Sequence, residues 1–148
     1  MRKQFLVALT GVGRDSDFRT TGPGALASLA ESIAAHGINI RAIGGAEIGG
    51  SGGVALMVND DQEDGLERAL RSAGYTAVEV DSVEVEIEDQ PGALAEVARR
   101  IADAGVNLES ILIIADRGER VLVSLGIARS NVEPATRALG LSKETLAV

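Results

Sequence analysis

The stretch GPGALASLAESIAAHGINI at residues 22–40 recurs in altered form as QPGALAEVARRIADAGVNL at residues 90–108. Alignment of Pro23 with Pro91 makes eleven of 21 successive positions identical. A sequence that matches itself at a fixed, domain-sized offset indicates a repeated structural unit. We therefore predict that the chain contains two copies of one fold.

Both copies show the same order of secondary structure. Apolar residues at i, i+3, i+4 and i+7 mark one face of a helix, a proline suits the first helical turn, and a glycine suits the left-handed position after the helix end. The prolines are Pro23 and Pro91, and the glycines are Gly37 and Gly105. With the flanking strands, the order β-α-β-β-α-β predicts a ferredoxin-like fold. We predict an α+β protein with two such domains in tandem, residues 1–80 and 81–148, each an antiparallel sheet with both helices on one face.

Three of the predicted strands lie near the ends of the two copies. TAVEV at 76–80 is predicted to close the first copy, SVEVEIED at 82–89 to open the second, and TLAV at 145–148 to end it. Alternation in the second of these points the apolar residues toward the helices and three glutamates toward solvent. The glutamates are Glu84, Glu86 and Glu88. A metal site on this carboxylate row is an alternative, but a solvated face is favoured.

Composition excludes several classes of function. With 14 Lys and Arg against 22 Asp and Glu, the net charge is −8, and aromatic residues make up 2%; neither phosphate binding nor base stacking is favoured, so we expect no nucleic-acid partner. No run approaches the ~18 apolar residues of a membrane span, and the start of the chain does not resemble a signal peptide. There is no cysteine. We expect a cytoplasmic protein without a membrane partner.

Catalytic and cofactor motifs are weak. The glycine-rich stretch at 44–53 lacks the Lys-Ser/Thr pair and the helix start of a phosphate loop, so a mobile hairpin loop is predicted. The single histidine, His36, is predicted at a surface helix end, with ligand contact as the alternative. No nucleophile elbow or histidine–carboxylate cluster is present. We expect no enzyme activity, cofactor or metal; a small enzyme that uses carboxylates is the alternative.

The starts of the two predicted helices offer a chemistry for binding. A helix N-terminus carries unpaired N–H groups that hold anions, and Gly24 and Gly92 leave that backbone open. Asp89 precedes one helix, and Asn107 follows its end. Such groups suit a zwitterion, but Asp89 as a helix cap and Asn107 as a turn residue explain the same residues equally well.

The pattern D-x-P-G-A-L, a helix and then G-[IV]-N-[IL] resembles the ACT domain, an amino-acid-sensing module of metabolic enzymes. DQPGALAEVARRIADAGVNLESI matches closely, whereas the first copy has no Asp two residues before Pro23. Its counterpart is Asp15, separated from Pro23 by the longer loop 16–22. The resemblance implies two groups of ligand-binding residues. They are Asp89, Gln90, Gly92, Ala93, Leu94 and Asn107 in the second copy, and Gly22, Gly24, Ala25, Leu26 and Asn39 in the first.

The resemblance also implies a function. We expect a stand-alone regulatory protein that binds a small ligand, an amino acid, where ACT domains meet. The alternative is a regulatory subunit that acts mainly by protein–protein contact with an amino-acid biosynthetic enzyme. Exposed sheet edges tend to be paired or covered, and the commonest closed oligomer is a symmetric dimer, so a homodimer is expected.

Overall fold

The computed structural model describes residues 2–9 and 22–141, which divide into two compact units. The N-terminal unit contains residues 5–9 and 22–79, and the C-terminal unit contains residues 2–4 and 80–141. Each is an α+β structure with an antiparallel sheet, as predicted. Asp15, the loop at 16–21 and the strand predicted at 145–148 lie outside the described residues.

The N-terminal unit has the first five elements in the predicted order. They are β1 (Lys3–Ala8), whose first two residues belong to the C-terminal unit, α1 (Ala25–Ala34), β2 (Ala42–Ile48), β3 (Ser51–Met57) and α2 (Glu63–Ser72). In the sheet, β3 lies between β2 and β1 and is antiparallel to both. The helices are amphipathic, and their apolar faces bury residues against this sheet. The core includes Phe5, Val7, Leu29, Ile33, Leu56, Leu66 and Leu70.

The glycine-rich stretch at 44–53 forms a hairpin between two strands, as predicted, but most of it is strand and not loop. Only Gly49 and Gly50 form the turn between β2 and β3, with φ of +59° and +84°. Two positive φ angles are typical of the two-residue hairpin turn that matches the twist of paired strands. Glycine is needed at position 45 for a different reason, which is lack of space: a Cβ there would lie 2.7 Å from Cγ1 of Val54 on β3.

The C-terminal unit repeats this arrangement. Its elements are β4 (Ala77–Glu88), α3 (Ala93–Asp103), β5 (Ser110–Asp116), β6 (Arg120–Ile127) and α4 (Val132–Ala138). Strand β6 lies between β4 and β5 and is antiparallel to both. The core is aliphatic: Val83, Val97, Ile101, Val106, Val123, Leu125, Ile127 and Ala135. Over residues 2–9 and 22–141, no helix is long and apolar enough to span a bilayer.

Strand β4 corrects the prediction of two separate strands at 76–80 and 82–89. It is one strand of 12 residues, because Asp81, the one residue between the two predicted strands, keeps its backbone pairing, as does Ser82 at the start of the second. Asp81 faces Ile127 in the ladder with β6, and the Ser82 N–H donates to the Arg2 carbonyl at 2.9 Å. Neither Gly nor Pro interrupts the run, so nothing in it forces a break.

Candidate functional site

The chain enters α3 through a tight turn. The Ala93 N–H donates to the Gln90 carbonyl at 3.3 Å, and Gly92 has φ +91° and ψ −16°. These values define a type II turn with Pro91 and Gly92 at its centre, a geometry that requires φ > 0 at the second central residue. The prediction that Pro91 occupies the first helical turn is therefore wrong, because the Pro-Gly pair completes a turn before the helix begins.

The same turn precedes α1, so the prediction for Pro23 is also wrong. The Ala25 N–H donates to the Gly22 carbonyl at 3.2 Å, and Gly24 has φ +86° and ψ −2°. The two copies thus share a local device as well as a sequence: Pro fixes one central φ of the turn, and Gly supplies the other.

The turn leaves the start of α3 open to a ligand. The first helical bond that follows it runs from the Glu96 N–H to the Gly92 carbonyl at 3.0 Å, so the amides of Leu94 and Ala95 have no carbonyl within the helix. The N-cap residue is Gly92, which has no side chain that could cap these N–H groups. Two N–H groups at the positive end of the helix therefore remain as donors for an anion.

Asp89 stands beside this turn without capping the helix. Its backbone N–H donates to the Glu119 carbonyl at 2.8 Å, which attaches the residue to the β5–β6 hairpin. No side-chain bond caps α3, so the interpretation of Asp89 as a helix cap is wrong. The residue is exposed, and its carboxylate is accessible to solvent at the end of β4.

An open groove of about 970 Å³ lies within the C-terminal unit. Three of the predicted site residues line it: Gln90, Gly92 and Ala93. Its apolar wall consists of Val85, Ile87, Val97, Leu122, Leu139 and Leu141. The groove is not lined by Asp89, Leu94 or Asn107. Of the predicted site in this unit, only the residues of the turn before α3 therefore reach the groove.

Most charges of the groove are paired with one another. Glu86 accepts from Arg117 at 3.0 Å and from Arg120 at 2.9 Å, and Arg100 donates to Glu96 at 2.6 Å. The carboxylate row on β4 is thus partly an ion-paired surface. In the described part of the chain no group of three potential metal ligands comes together, so the alternative of a metal site on this row has no geometric support.

Asn107 lies beyond the opposite end of α3. The helix has 11 residues, which corresponds to a length of about 16 Å. Asn107 is exposed, and its Nδ2 lies 3.4 Å from Oε1 of Glu109, a long hydrogen bond. A free amino acid is too short to contact both Asp89 and Asn107 of one unit.

In the N-terminal unit, too, the predicted site residues lie at opposite ends of a helix. One further residue, which the sequence did not indicate, contacts the loop beyond that helix. Gly22, Gly24, Ala25 and Leu26 lie at the start of α1, and Asn39 lies beyond its end. Here Gln62 holds the connecting loop: its Oε1 accepts from the Asn39 N–H at 3.2 Å, and its Nε2 donates to the Gly37 carbonyl at 3.2 Å. No local sequence signal could have revealed this contact, because Gln62 is 23 residues from Asn39.

His36 and Tyr75 are not part of either helix start. His36 is exposed just past α1, and its Nδ1 lies 2.9 Å from the Ser32 carbonyl. Tyr75 is buried in the core of the N-terminal unit. Burial raises the pKa of the Tyr75 hydroxyl above its ordinary value of 10.0, and a hydrogen bond from Ser32 partly opposes that rise.

Comparison with known proteins gives a family match for one region of the chain and solved structures of similar fold. Residues 82–140 match the family model described as the ACT domain, and no curated protein sequence matches the chain. A solved protein from Bacteroides thetaiotaomicron is 25% identical, with 93% of this chain and 85% of that chain covered and a TM-score of 0.65. The regulatory subunits of aspartate kinase from Thermus thermophilus and Thermus flavus are 23% and 22% identical; in both cases 94% of this chain and 90% of that chain are covered, at a TM-score of 0.64. Similarities at this level show a common fold.

Proposed function

We propose that this chain is a regulatory protein that binds a free amino acid and has no catalytic activity of its own. The match of residues 82–140 to the ACT domain supports this proposal. The solved structures of similar fold include regulatory subunits of aspartate kinase. In the described residues, the open start of α3 and the groove beside it support ligand binding.

The observation that carries the proposal is the open start of α3. The amides of Leu94 and Ala95 are positioned to receive the carboxylate of an amino acid, since both lack helical partners and lie at the positive end of the helix dipole. Asp89 stands beside the same turn with an accessible carboxylate, which suits the ammonium group. The side chain of the ligand would then extend toward the apolar wall of the groove.

The position of Asn107 indicates how the site is completed. Because Asp89 and Asn107 flank a helix about 16 Å long, one small ligand can use both only if they come from different copies of the C-terminal unit. We place the ligand between two chains of a symmetric dimer, with Asp89 from one chain and Asn107 from the other. In a two-fold assembly this contact occurs twice.

We propose that the N-terminal unit is a second ACT domain. It repeats the Pro-Gly turn, the helix and the Asn39 position. The two proposed domains correspond to the predicted residues 1–80 and 81–148, except that residues 2–4 and Val80 pack with the C-terminal unit. Its site, formed by Gly22, Gly24, Ala25, Leu26 and Asn39, lacks a carboxylate two residues before Pro23. We therefore propose that it binds the ligand less tightly than the C-terminal unit does.

A thermal-shift screen of the twenty amino acids tests the proposal. A ligand at one hundred times its Kd stabilises a protein by about 2.7 kcal/mol, which gives a clear shift in Tm. The matched controls are the N-acetyl and carboxamide derivatives of the best ligand, which lack the ammonium and the carboxylate respectively. Both should lose the shift; no shift with any amino acid at millimolar concentration would contradict the proposal.

A second candidate function is that of a regulatory subunit that works mainly through protein contact. It is favoured by exposed apolar side chains on the C-terminal unit, among them Leu94, Ile111 and Ile113, which are 49%, 44% and 69% exposed. The partner would be an amino-acid biosynthetic enzyme. If the screen gives no ligand and a purified biosynthetic kinase binds the chain, this candidate replaces the first.

A further inference from the structure

We propose that the side-chain amide of Gln4 fixes the N-terminal segment, residues 2–4, in a single register as an integral part of the C-terminal unit. This segment is separated by 75 residues from Val80, where the rest of that unit begins. It lies outside residues 82–140, which match the ACT domain. The inference is independent of the proposed ligand.

Gln4 is the centre of a buried polar network. Gln4 and Ser124 are both fully buried, and Ser82 is 3% exposed. Nε2 of Gln4 donates to the Ser124 carbonyl at 3.1 Å and to its hydroxyl at 2.7 Å, while Oε1 of Gln4 accepts from the Ser110 hydroxyl. The hydroxyls of Ser82 and Ser124 lie 2.5 Å apart. Both hydrogens of the amide and its oxygen are therefore used.

The network is specific for an amide of this size. Gly126 leaves room for it, because a Cβ there would clash with the Ser110 hydroxyl and lie 3.1 Å from Oε1 of Gln4. A slip of one residue along β1 would bring Lys3 or Phe5 to the position of Gln4, and neither can donate and accept as the amide does. A buried polar group that loses its partners is costly, so the network opposes both slips.

The other contacts of the segment are less selective. The bond from the Ser82 N–H to the Arg2 carbonyl involves backbone atoms only, which any residue supplies in any register. Nε of Arg2 lies 3.3 Å from Oε1 of Glu84, but that buried oxygen makes no aligned hydrogen bond, so the contact is less directional than those of the Gln4 amide. Of these contacts, the Gln4 network is the one that selects a single register.

Hydrogen exchange on the full-length chain tests this proposal. The variant is Gln4→Met, which keeps the length of the side chain and removes its hydrogen bonds. We expect the Ser82 amide, which donates to Arg2, to exchange at least tenfold faster than in the unchanged protein. Amides in the middle of the β5–β6 ladder, such as that of Val123, should change less than threefold. The double variant Gln4→Met with Ser124→Ala should recover part of the protection, since fewer polar groups remain unpaired.

Gln62→Met is the matched control, because Gln62 also makes two hydrogen bonds through its amide but is not fully buried. It should leave the exchange of the Ser82 amide unchanged. If Gln4→Met does not fold, Ser110→Ala, which removes one partner of Gln4, is measured in its place with the same expectation. Unchanged exchange at Ser82, or an equal acceleration at Ser82 and Val123, would overturn the proposal, because either result means that Gln4 contributes only bulk packing.

Discussion

Asp89 and Asn107 flank α3 from opposite ends, separated by a helix of 11 residues, or about 16 Å. The sequence suggested that they share one site, since both belong to the motif that resembles an ACT domain. Within one unit they cannot contact the same free amino acid. The pair therefore predicts a ligand held between two copies of the chain, and the predictions on ligand binding and assembly depend on that arrangement.

Asp89→Ala should weaken amino-acid binding about tenfold to a hundredfold, because a hydrogen bond to a charged group contributes about 1.5–3 kcal/mol. Asn39→Ala should weaken it less, since the N-terminal unit lacks a carboxylate directly before its Pro-Gly turn. Titration calorimetry measures both. Glu133→Ala is the control, because Glu133 is an exposed carboxylate on α4 that pairs with Arg137 and belongs to neither candidate site, so it should not affect binding. Loss of binding in Asn39→Ala but not in Asp89→Ala would reverse the ranking of the two units.

The chain should be a dimer at micromolar concentration, and light scattering should give twice the 15.3 kDa of one chain. Ile113 is 69% exposed on β5, at the edge of the described sheet of its unit, and unpaired edges favour association. Ile113→Lys should therefore shift the protein toward the monomer. Ile48→Lys makes the same change on β2, the edge strand of the other unit, where Ile48 is 80% exposed; we expect it to leave the dimer intact, because the proposed site lies between C-terminal units. A mass of 15.3 kDa for the unchanged protein would refute this prediction.

Two glycines should respond to alanine for different physical reasons. Gly92→Ala meets no atom within 4 Å but must adopt φ +91°, so its cost is backbone strain of about 1–2 kcal/mol. Gly126→Ala has ordinary backbone angles but clashes with Ser110 and approaches Val80 and Gln4, which costs up to about 3 kcal/mol by overpacking. Urea unfolding measures both, and a greater loss for Gly92→Ala would contradict this account of the Gln4 network.

Tyr75 should titrate above its ordinary pKa of 10.0, because burial raises the pKa. The unfolded chain then loses this proton first, so the contribution of Tyr75 to stability is constant below about pH 10 and declines as the pH rises from there toward the folded pKa. Tyrosinate absorbance reports this residue alone, since the chain has one Tyr and no Trp. Ser32→Ala should raise the pKa further, as the Ser32 hydrogen bond lowers it; a folded pKa at or below 10 would contradict the burial argument.

The order of helices and strands was predictable because hydrophobic periodicity is a local signal. The faces of α1 and α3, the left-handed Gly37 and Gly105 and the alternation of β4 follow from neighbouring residues and are confirmed. The errors at Pro23 and Pro91 have a local cause as well: proline suits both a first helical turn and the second position of a β-turn. Gly at the next position favours the β-turn.

The candidate site was less predictable, because its geometry depends on residues far apart in sequence. The motif indicated which residues to consider, but only the length of α3 separates Asp89 from Asn107. The role of Gln62 depends on a contact across 23 residues, and that of Gln4 on contacts across 106 and 120 residues. Gln4 follows Lys3 at the start of β1, before the apolar residues of the strand, so its burial had no signal in the neighbouring sequence.

Complementation between two inactive variants tests the central claim most directly. Asp89→Ala and Asn107→Ala chains are mixed, unfolded and refolded together, and titrated with the best amino acid in a calorimeter. If the site forms between two chains, mixed dimers contain one C-terminal site with both residues and one with neither, so about a quarter of the C-terminal sites should regain the affinity of the unchanged protein. Each variant refolded alone should show none. Binding in the mixture that equals the average of the two variants would contradict a site shared between chains.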